Sequence, residues 1–244
     1  MKIYVINLDR SVERLAQFRA HNPSQGLILR ASAIDGRTVD PQVFIDRGLL
    51  SPALRYGAGA LGHALSQLRM WKHTADGHEP VTVLEDDAVL CRNFREESQR
   101  IIDGLTPGWD YIFWGYNFDT YMTFEVLAGV STGVITFDQD RMRAGLAGFH
   151  GQDVTTTAFR LICALGTPGY TVSPAGAARL LAACLPLRPS ERFYPGMNRI
   201  VPNVSLDYAM NECHPTFAAY VALPPLVLTA NDHSISTIQE GSHA

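Results

Sequence analysis

Residues 3–36 read IYVINLDRSVERLAQFRAHNPSQGLILRASAIDG, and this stretch predicts a β-α-β unit. Residues 3–8 have the apolar pattern of a buried strand, and residues 27–32 form a second predicted strand that leads into an Asp-Gly turn. Between them, residues 11–21 predict a helix with Ser11 as its N-cap. Such an opening favours an α/β fold with a mostly parallel sheet, in which functional groups lie at the carboxyl ends of the strands.

The rest of the chain continues the alternation of strands and helices. Further strands are predicted for residues 81–84, 110–114, 155–165 and 170–172, with one or two more within 217–229. Further helices are predicted for residues 41–47, from the glycine-rich loop 56–62 to about 74, and for 94–105, 175–184 and 206–211. Residues 117–153 predict a variable loop or a short hairpin, and residues 186–202 predict irregular structure.

The composition indicates a globular protein and argues against nucleic acid as a partner. The 244 residues suit one large domain, with 46% hydrophobic and 18% charged residues. The formal net charge is -4, whereas nucleic-acid binders usually carry a basic excess. No apolar run approaches the ~18 residues of a membrane span, and the first strand is too short for a signal peptide. We therefore expect a cytoplasmic protein, with peripheral contact at the inner face of a membrane left open.

The cysteines indicate neither a disulfide framework nor a zinc site. None of Cys91, Cys163, Cys184 and Cys213 belongs to a C-x-x-C pair. We expect four reduced thiols, mostly buried in the core.

The sharpest chemical feature is a run of three carboxylates at the end of a predicted strand. Residues 81–84 (VTVL) lead directly into Glu85, Asp86 and Asp87. Adjacent carboxylates repel one another, and a divalent cation removes that penalty. Oxygen ligands suit Mg²⁺ or Mn²⁺, and such ions keep open positions for substrate phosphates. A solvated acidic turn explains the same residues without a metal, so the motif alone leaves both interpretations open.

The order of motifs along the chain resembles one protein family. Two motifs carry the resemblance as a pair: IYVINLDRSVER at residues 3–14 and LEDD at residues 84–87. Further matches follow at residues 33–36 (AIDG), 59–67 (GALGHALSQ), 169–177 (GYTVSPAGA), 206–208 (LDY) and 232–235 (DHSI). On these residues, the sequence resembles the family 25 glycosyltransferases, which include bacterial lipooligosaccharide β-galactosyltransferases and relatives of the collagen galactosyltransferases.

The resemblance implies a fold, a reaction and a cofactor. The implied fold is a single GT-A type, Rossmann-like domain over residues 1–244, with a nucleotide-binding half at about 1–115 and an acceptor half at about 116–244. The implied reaction is the inverting transfer of a hexose, galactose in the usual case, from a UDP-sugar donor to a glycan hydroxyl. The product would belong to lipopolysaccharide or another surface glycan, with a lipid-linked acceptor as one option. Mn²⁺, or Mg²⁺ in its place, is the implied cofactor.

The resemblance also carries over individual site residues. The residues implied to bind the UDP-sugar are Asn7, Arg10, Arg14, Asp35, Glu85 and Asp86. The implied metal ligands are Asp87, Glu85 and His233. Asp207 matches the late acidic motif and is the candidate catalytic base, because an inverting displacement needs a group that takes the acceptor proton.

Several of these residues have plainer alternatives. Asp207 lies near a predicted helix start, where N-terminal capping explains an aspartate equally well. His233 could be a lone surface histidine. Trp114 and Tyr116 could stack on a sugar face, or they could belong to the core.

The glycine-rich helix start departs from the family pattern. Ala60, His63 and Gln67 stand where the family usually has glutamate, cysteine and histidine, and this departure puts the choice of sugar in doubt. The plainer interpretation of His63 is a polar residue in the first turn of an amphipathic helix. Residues 116–153 match no segment of the family pattern, which indicates an unusual acceptor.

Two other classes of function compete with a transferase. A non-catalytic nucleotide-sugar or glycan-binding module would retain the fold alone, and a metal-dependent phosphohydrolase would use the same carboxylates. The intact acidic run at residues 85–87 argues against the first class. The second class requires further metal-site motifs, and the sequence offers none.

Overall fold

A computed structural model describes residues 1–230, which are organised around a nine-stranded sheet. The strands of the chain, in order, are β1 (Lys2–Asn7), β2 (Leu29–Ser32), β3 (Val81–Glu85), β4 (Val89–Leu90), β5 (Tyr111–Phe113), β6 (Tyr121–Leu127), β7 (Ser131–Thr136), β8 (Thr157–Cys163), β9 (Gly169–Val172), β10 (Glu191–Tyr194), β11 (Arg199–Pro202), β12 (Ala219–Leu223) and β13 (Val227–Leu228).

Helices connect most of these strands. They are α1 (Val12–His21), α2 (Pro41–Asp46), α3 (Ala58–Ala75), α4 (Phe94–Gly104), α5 (Gln139–Phe149), α6 (Pro174–Cys184) and α7 (Leu206–Cys213). No helix within residues 1–230 combines the length and the apolar character needed to cross a membrane.

The large sheet has the strand order β2-β1-β3-β9-β5-β12-β8-β6-β7. β1 lies parallel to both β2 and β3, and β5 lies parallel to β12. β9 is inserted antiparallel between β3 and β5, and β8 is antiparallel to β12 and β6. The strands β1, β2, β3, β5, β6 and β12 therefore point one way, and β7, β8 and β9 point the other. This arrangement confirms the predicted α/β class with a mostly parallel central sheet.

Helices cover both faces of the sheet because successive side chains of a strand point to opposite sides. On one face, Val83 of β3 belongs to the same apolar cluster as Leu65 of α3 and residues of α6 and α7. On the other face, Leu84 belongs to a cluster with Phe18 of α1 and residues of α4 and α5. The flanking helices that the sequence predicts are therefore present on both sides.

The predicted helix at residues 175–184 begins with Ser173 as its N-cap, and the predicted N-cap position of Ser11 is confirmed. The Ser173 hydroxyl accepts a hydrogen bond from the Gly176 amide at 2.9 Å, and Pro174 occupies the first helical position of α6. Ser11 occupies the N-cap position of α1, but its side chain makes no capping hydrogen bond. Its carbonyl oxygen instead accepts a hydrogen bond from the Asn7 side chain at 3.0 Å.

Two segments are more regular than the sequence predicts. Residues 117–153 contain the β6–β7 hairpin, which extends the edge of the sheet, and then helix α5. Asp138 caps α5 by accepting a hydrogen bond from the Arg141 amide at 3.0 Å. Residues 186–202 contain the antiparallel pair β10–β11 rather than irregular structure. The hairpin alternative for residues 117–153 is confirmed, whereas α5 was missed and the prediction of irregular structure for residues 186–202 was wrong, because neither segment has a strong hydrophobic period.

Two glycines fix the turn after β2 against helix α3. A Cβ atom on Gly36 would lie 1.8 Å from the Ala58 carbonyl oxygen, and one on Gly62 would lie 2.5 Å from the Ile34 carbonyl oxygen. No side chain fits at such distances, so the two backbones meet directly. The turn that carries Asp35 is therefore held beside α3.

The core interpretations of the aromatic residues and the cysteines are confirmed. Trp114 is fully buried, and its indole nitrogen donates a hydrogen bond to the Thr171 hydroxyl at 2.7 Å. Tyr116 is buried and stacks on Phe118 with ring centroids 5.5 Å apart. All four cysteines are buried and free.

Candidate functional site

The carboxyl ends of β1 and β3 bring two of the sequence motifs together. The strands are parallel and in register, with Ile6 opposite Glu85. Asn7 therefore lies beside the acidic turn at residues 85–87. β9 begins at the same edge, because it is antiparallel to β3 with Gly169 opposite Leu84. In α/β proteins this edge of the sheet is where ligands bind.

Asn7 links the first strand to the acidic turn through side-chain hydrogen bonds. Its side chain is almost fully buried, and its amide nitrogen donates a hydrogen bond to Oδ2 of Asp86 at 2.7 Å. Its amide oxygen accepts a hydrogen bond from Nε of Arg30 at 3.1 Å. Both ends of the amide are thus occupied, which orients Asn7 and, through it, Asp86.

Arg14 of α1 occupies the other oxygen of Asp86. Its Nε donates to Oδ1 of Asp86 at 2.8 Å, and its Nη2 lies 3.9 Å from Oδ2 of Asp87. Burial lowers the pKa of the Arg14 guanidinium, but the hydrogen bond to Asp86 and the nearby carboxylates raise it above its ordinary value. Asp86 is therefore tied to α1 and β1, while Asp87 has only a distant contact with the same cation.

Arg10 and Asp35 form a separate pair on the exposed rim. Nε of Arg10 donates to Oδ2 of Asp35 at 2.8 Å, and Arg37 donates to both oxygens of the same carboxylate. Hydrogen bonds from Arg37 and Arg10 hold the pKa of Asp35 well below its ordinary value. The structure thus places Asn7, Arg14 and the acidic turn in one hydrogen-bonded cluster, and Arg10 with Asp35 in another.

Glu85 points toward helix α3 and the loop before β9. Its Oε1 accepts a hydrogen bond from the Thr167 hydroxyl at 2.7 Å and lies 3.2 Å from Nε2 of His63. Burial raises the pKa of Glu85, but the hydrogen bonds with His63 and Thr167 and the charge of Arg14 bring it below its ordinary value. Two side chains therefore hold the carboxylate of Glu85 at Oε1.

The sequence analysis missed the roles of His63 and Thr167. α3 begins at Ala58, so His63 lies in its second turn and not in its first, and it faces Glu85 rather than solvent. Burial lowers the pKa of His63, but the hydrogen bond and charge of Glu85 raise it above its ordinary value. Thr167 is buried in a loop between two strands, and no sequence pattern marks it.

Asp87 is the carboxylate of the acidic turn with an unsatisfied atom. Its Oδ1 is buried without a hydrogen-bond partner, although the side chain as a whole is 36% exposed. Burial and the neighbouring Glu85 raise the pKa of the Asp87 carboxyl to about 6. Oδ1 of Asp87 is thus buried, lies near the negative charge of Glu85 and has no hydrogen-bond donor. A carboxylate oxygen in these surroundings fits a site for a cation.

The predicted metal ligands Asp87 and Glu85 both belong to this site. Within residues 1–230, no three His, Cys, Asp or Glu side chains are grouped closely enough to hold a metal ion together. His233, the third predicted ligand, lies outside the described residues. Glu85 and Asp87 are therefore the ligands that the described part of the chain can offer, and Mn²⁺ binding stays a prediction.

Asp207 lies in the first turn of α7 but does not occupy the N-cap position, which belongs to Ser205. Its Oδ2 accepts a hydrogen bond from the Gly166 amide at 2.9 Å, and its Oδ1 accepts one from the Ser205 hydroxyl. Gly166 immediately precedes Thr167, the partner of Glu85. The plain capping alternative therefore does not describe Asp207, whose carboxylate reaches across to the loop beside the acidic turn.

The acidic turn lies at the carboxyl ends of parallel strands, where open α/β sheets bind their ligands. Residues 1–192 match glycosyltransferase family 25 (LPS biosynthesis protein). The chain belongs to this family and is a glycosyltransferase of the lipopolysaccharide-biosynthesis type, which confirms the resemblance drawn from its motifs. No curated protein matches the chain.

Two solved structures are similar over most of the chain. The inositol-1-phosphate CTP transferase from T. maritima is 10% identical, with coverage of 98% of this chain and 96% of that one and a TM-score of 0.39. The mannose-1-phosphate geranyltransferase from Thermus thermophilus is 14% identical, with coverage of 92% and 73% and a TM-score of 0.37.

Proposed function

We propose that this chain transfers a hexose from a UDP-sugar to a hydroxyl group of a glycan, with inversion at the sugar carbon, during the synthesis of lipopolysaccharide or another surface glycan. Galactose is the hexose that the family resemblance favours. The observation that carries the proposal is the unsatisfied Oδ1 of Asp87 beside Glu85, at the strand end where ligands bind. Family membership supports the transfer of a sugar.

The donor diphosphate belongs, in this proposal, beside the acidic turn. Asp87 and Glu85 would hold Mn²⁺ or Mg²⁺, since hard oxygen ligands suit both ions. When bound, the ion would supply positive charge that stabilises the leaving diphosphate. Asn7 and Arg14 occupy both oxygens of Asp86, and the Arg10–Asp35 pair would border the nucleotide.

The acceptor hydroxyl belongs on the side of Asp207. Its oxygen attacks the sugar carbon as the bond to UDP breaks, and the carboxylate of Asp207 takes the hydroxyl proton. The Gly166 amide orients this carboxylate through Oδ2. A lipid-linked acceptor at the cytoplasmic face of the inner membrane is part of the proposal.

UDP release from UDP-galactose tests the proposal against its rivals. The assay compares turnover with and without a truncated lipooligosaccharide acceptor, at fixed Mn²⁺ and with other UDP-sugars in parallel. A transferase releases UDP rapidly only when the acceptor is present. Equal release without acceptor would indicate a phosphohydrolase, and saturable binding without release would indicate a non-catalytic module.

A further inference from the structure

Two side chains contact the carboxylate of Glu85 through the same oxygen atom. Oε1 accepts the Thr167 hydroxyl at 2.7 Å, and Nε2 of His63 approaches the same atom at 3.2 Å. The Glu85 side chain nevertheless keeps 24% of its surface exposed. These contacts leave Oε2 for a ligand, because a carboxylate has acceptor capacity on both oxygens.

A chain of buried hydrogen bonds leads from the core to His63. Trp71 donates to the Tyr170 hydroxyl at 2.7 Å, and Tyr170 donates to Oε1 of Gln67 at 2.6 Å. An indole nitrogen can only donate, so the direction of this chain is fixed. Gln67 must therefore present its amide nitrogen to His63, where it lies 3.2 Å from Nε2.

Because of the direction of that chain, Thr167 is a more certain hydrogen-bond donor to Glu85 than His63 is. If Nε2 of His63 accepts a hydrogen bond from Gln67, the imidazole has no proton at that atom for the carboxylate. If Nε2 carries a proton instead, Thr167 and His63 share Oε1. The Thr167 hydroxyl lies 2.7 Å from Oε1 of Glu85 and 3.2 Å from Nε2 of His63, so the carboxylate oxygen is its nearer acceptor in both cases.

Backbone hydrogen bonds hold the loop on both sides of Thr167. The Gly166 amide donates to Asp207 at 2.9 Å, and the Pro168 carbonyl accepts from the Glu85 amide at 3.0 Å. Gly166 has a φ of +83°, and a Cβ atom there would lie 2.1 Å from the side-chain oxygen of Asn117. The loop backbone therefore adopts a conformation here that glycine accepts easily and that leaves no room for a side chain.

We propose that Thr167 is a positioning residue that occupies Oε1 of Glu85 and thereby turns Oε2 toward the donor and its cation. The same short loop holds Asp207 through Gly166, so it sets the relative position of the donor-side and acceptor-side carboxylates. This inference rests on the proposed function of the site.

Isothermal titration calorimetry of the full chain with UDP, with and without Mn²⁺, tests the inference. Thr167→Val keeps the shape and removes the hydroxyl, and we expect it to weaken UDP binding in Mn²⁺ about tenfold, as for loss of a hydrogen bond to a charged group. Metal-free UDP affinity should stay within about twofold of wild type. Thr167→Ser restores the donor and should bind as wild type does. Thr82→Val, which removes another buried hydroxyl, from β3, is the matched control and should change neither affinity.

The outcomes separate the inference from the proposed function. Wild-type affinity in a folded Thr167→Val protein, or an equal loss with and without Mn²⁺, overturns the positioning role, because a disordered loop would weaken both affinities. A wild-type chain that binds no UDP, or binds it without any effect of Mn²⁺, overturns the proposed donor site and this inference together. If the valine variant does not fold, Thr167→Cys provides the same test with a weak donor of similar size.

Discussion

Replacing Arg14 with glutamine tests whether Asp86 is held as part of the scaffold. Arg14 donates to Oδ1 of Asp86 through both Nε and Nη2, and Asn7 occupies the other oxygen. Glutamine keeps the aliphatic stem of the side chain but removes the charge and the paired donors. Asp86 would then remain beside Glu85 and Asp87 with no cation between α1 and the acidic turn.

The pair is sufficiently buried for the loss to be measurable. The Arg14 side chain is 29% exposed and that of Asp86 is 12% exposed. Breaking a fully buried ion pair costs about 3–5 kcal/mol, and losing a hydrogen bond to a charged group costs about 1.5–3 kcal/mol. The partial exposure of Arg14 places the expected loss at about 2–3 kcal/mol, or about 4–12 °C in Tm for a chain of this size.

Thermal unfolding followed by circular dichroism, without added metal, measures this loss. Arg92→Gln is the matched control, because Arg92 and Asp153 form an ion pair with side chains 57% and 54% exposed. Its Tm should stay within about 2 °C of wild type, since exposed pairs contribute little. If Arg14→Gln unfolds no earlier than the Arg92→Gln control, Asp86 is not held by Arg14 in the way described.

Three further changes test other parts of the molecule. Asp87→Asn should abolish most Mn²⁺-dependent UDP binding, measured by calorimetry, and leave Tm unchanged or raised, because repulsion with Glu85 is relieved; undiminished binding would contradict the metal role. Asp207→Asn should lower turnover about 10²–10⁴-fold in the UDP-release assay with donor affinity retained; retained turnover would remove it as the base. Glu97→Gln should lower Tm at pH 7, since the hydrogen bond from Arg100 lowers the pKa of Glu97. That stabilisation is fully present above the unfolded-state pKa of about 4.3 and is lost as pH falls through the folded-state pKa, so the difference should shrink steadily in a Tm series below about pH 4; a difference that stays constant there would refute the ionic explanation.

The site was predictable from sequence where its residues follow a strand, and not where they come from loops. The acidic turn was found because it follows the apolar strand β3, and Asn7, at the end of β1, was found through the family resemblance. Thr167 follows no recognisable motif, and it reaches Glu85 only because β9 enters the sheet antiparallel to β3. The strands predicted for residues 155–165 and 170–172 correspond to β8 and β9, which follow each other along the chain but are not neighbours in the sheet.

Local periodicity determined which residues form strands and helices and which of their faces are apolar, because side chains alternate along strands and recur every three to four residues along helices. It therefore determined the α/β class. The choice of neighbours depends on long-range packing, which local patterns do not encode. Only the tertiary structure decided that Asp86 pairs with Arg14, that His63 turns inward to Glu85, and that one loop touches both Glu85 and Asp207.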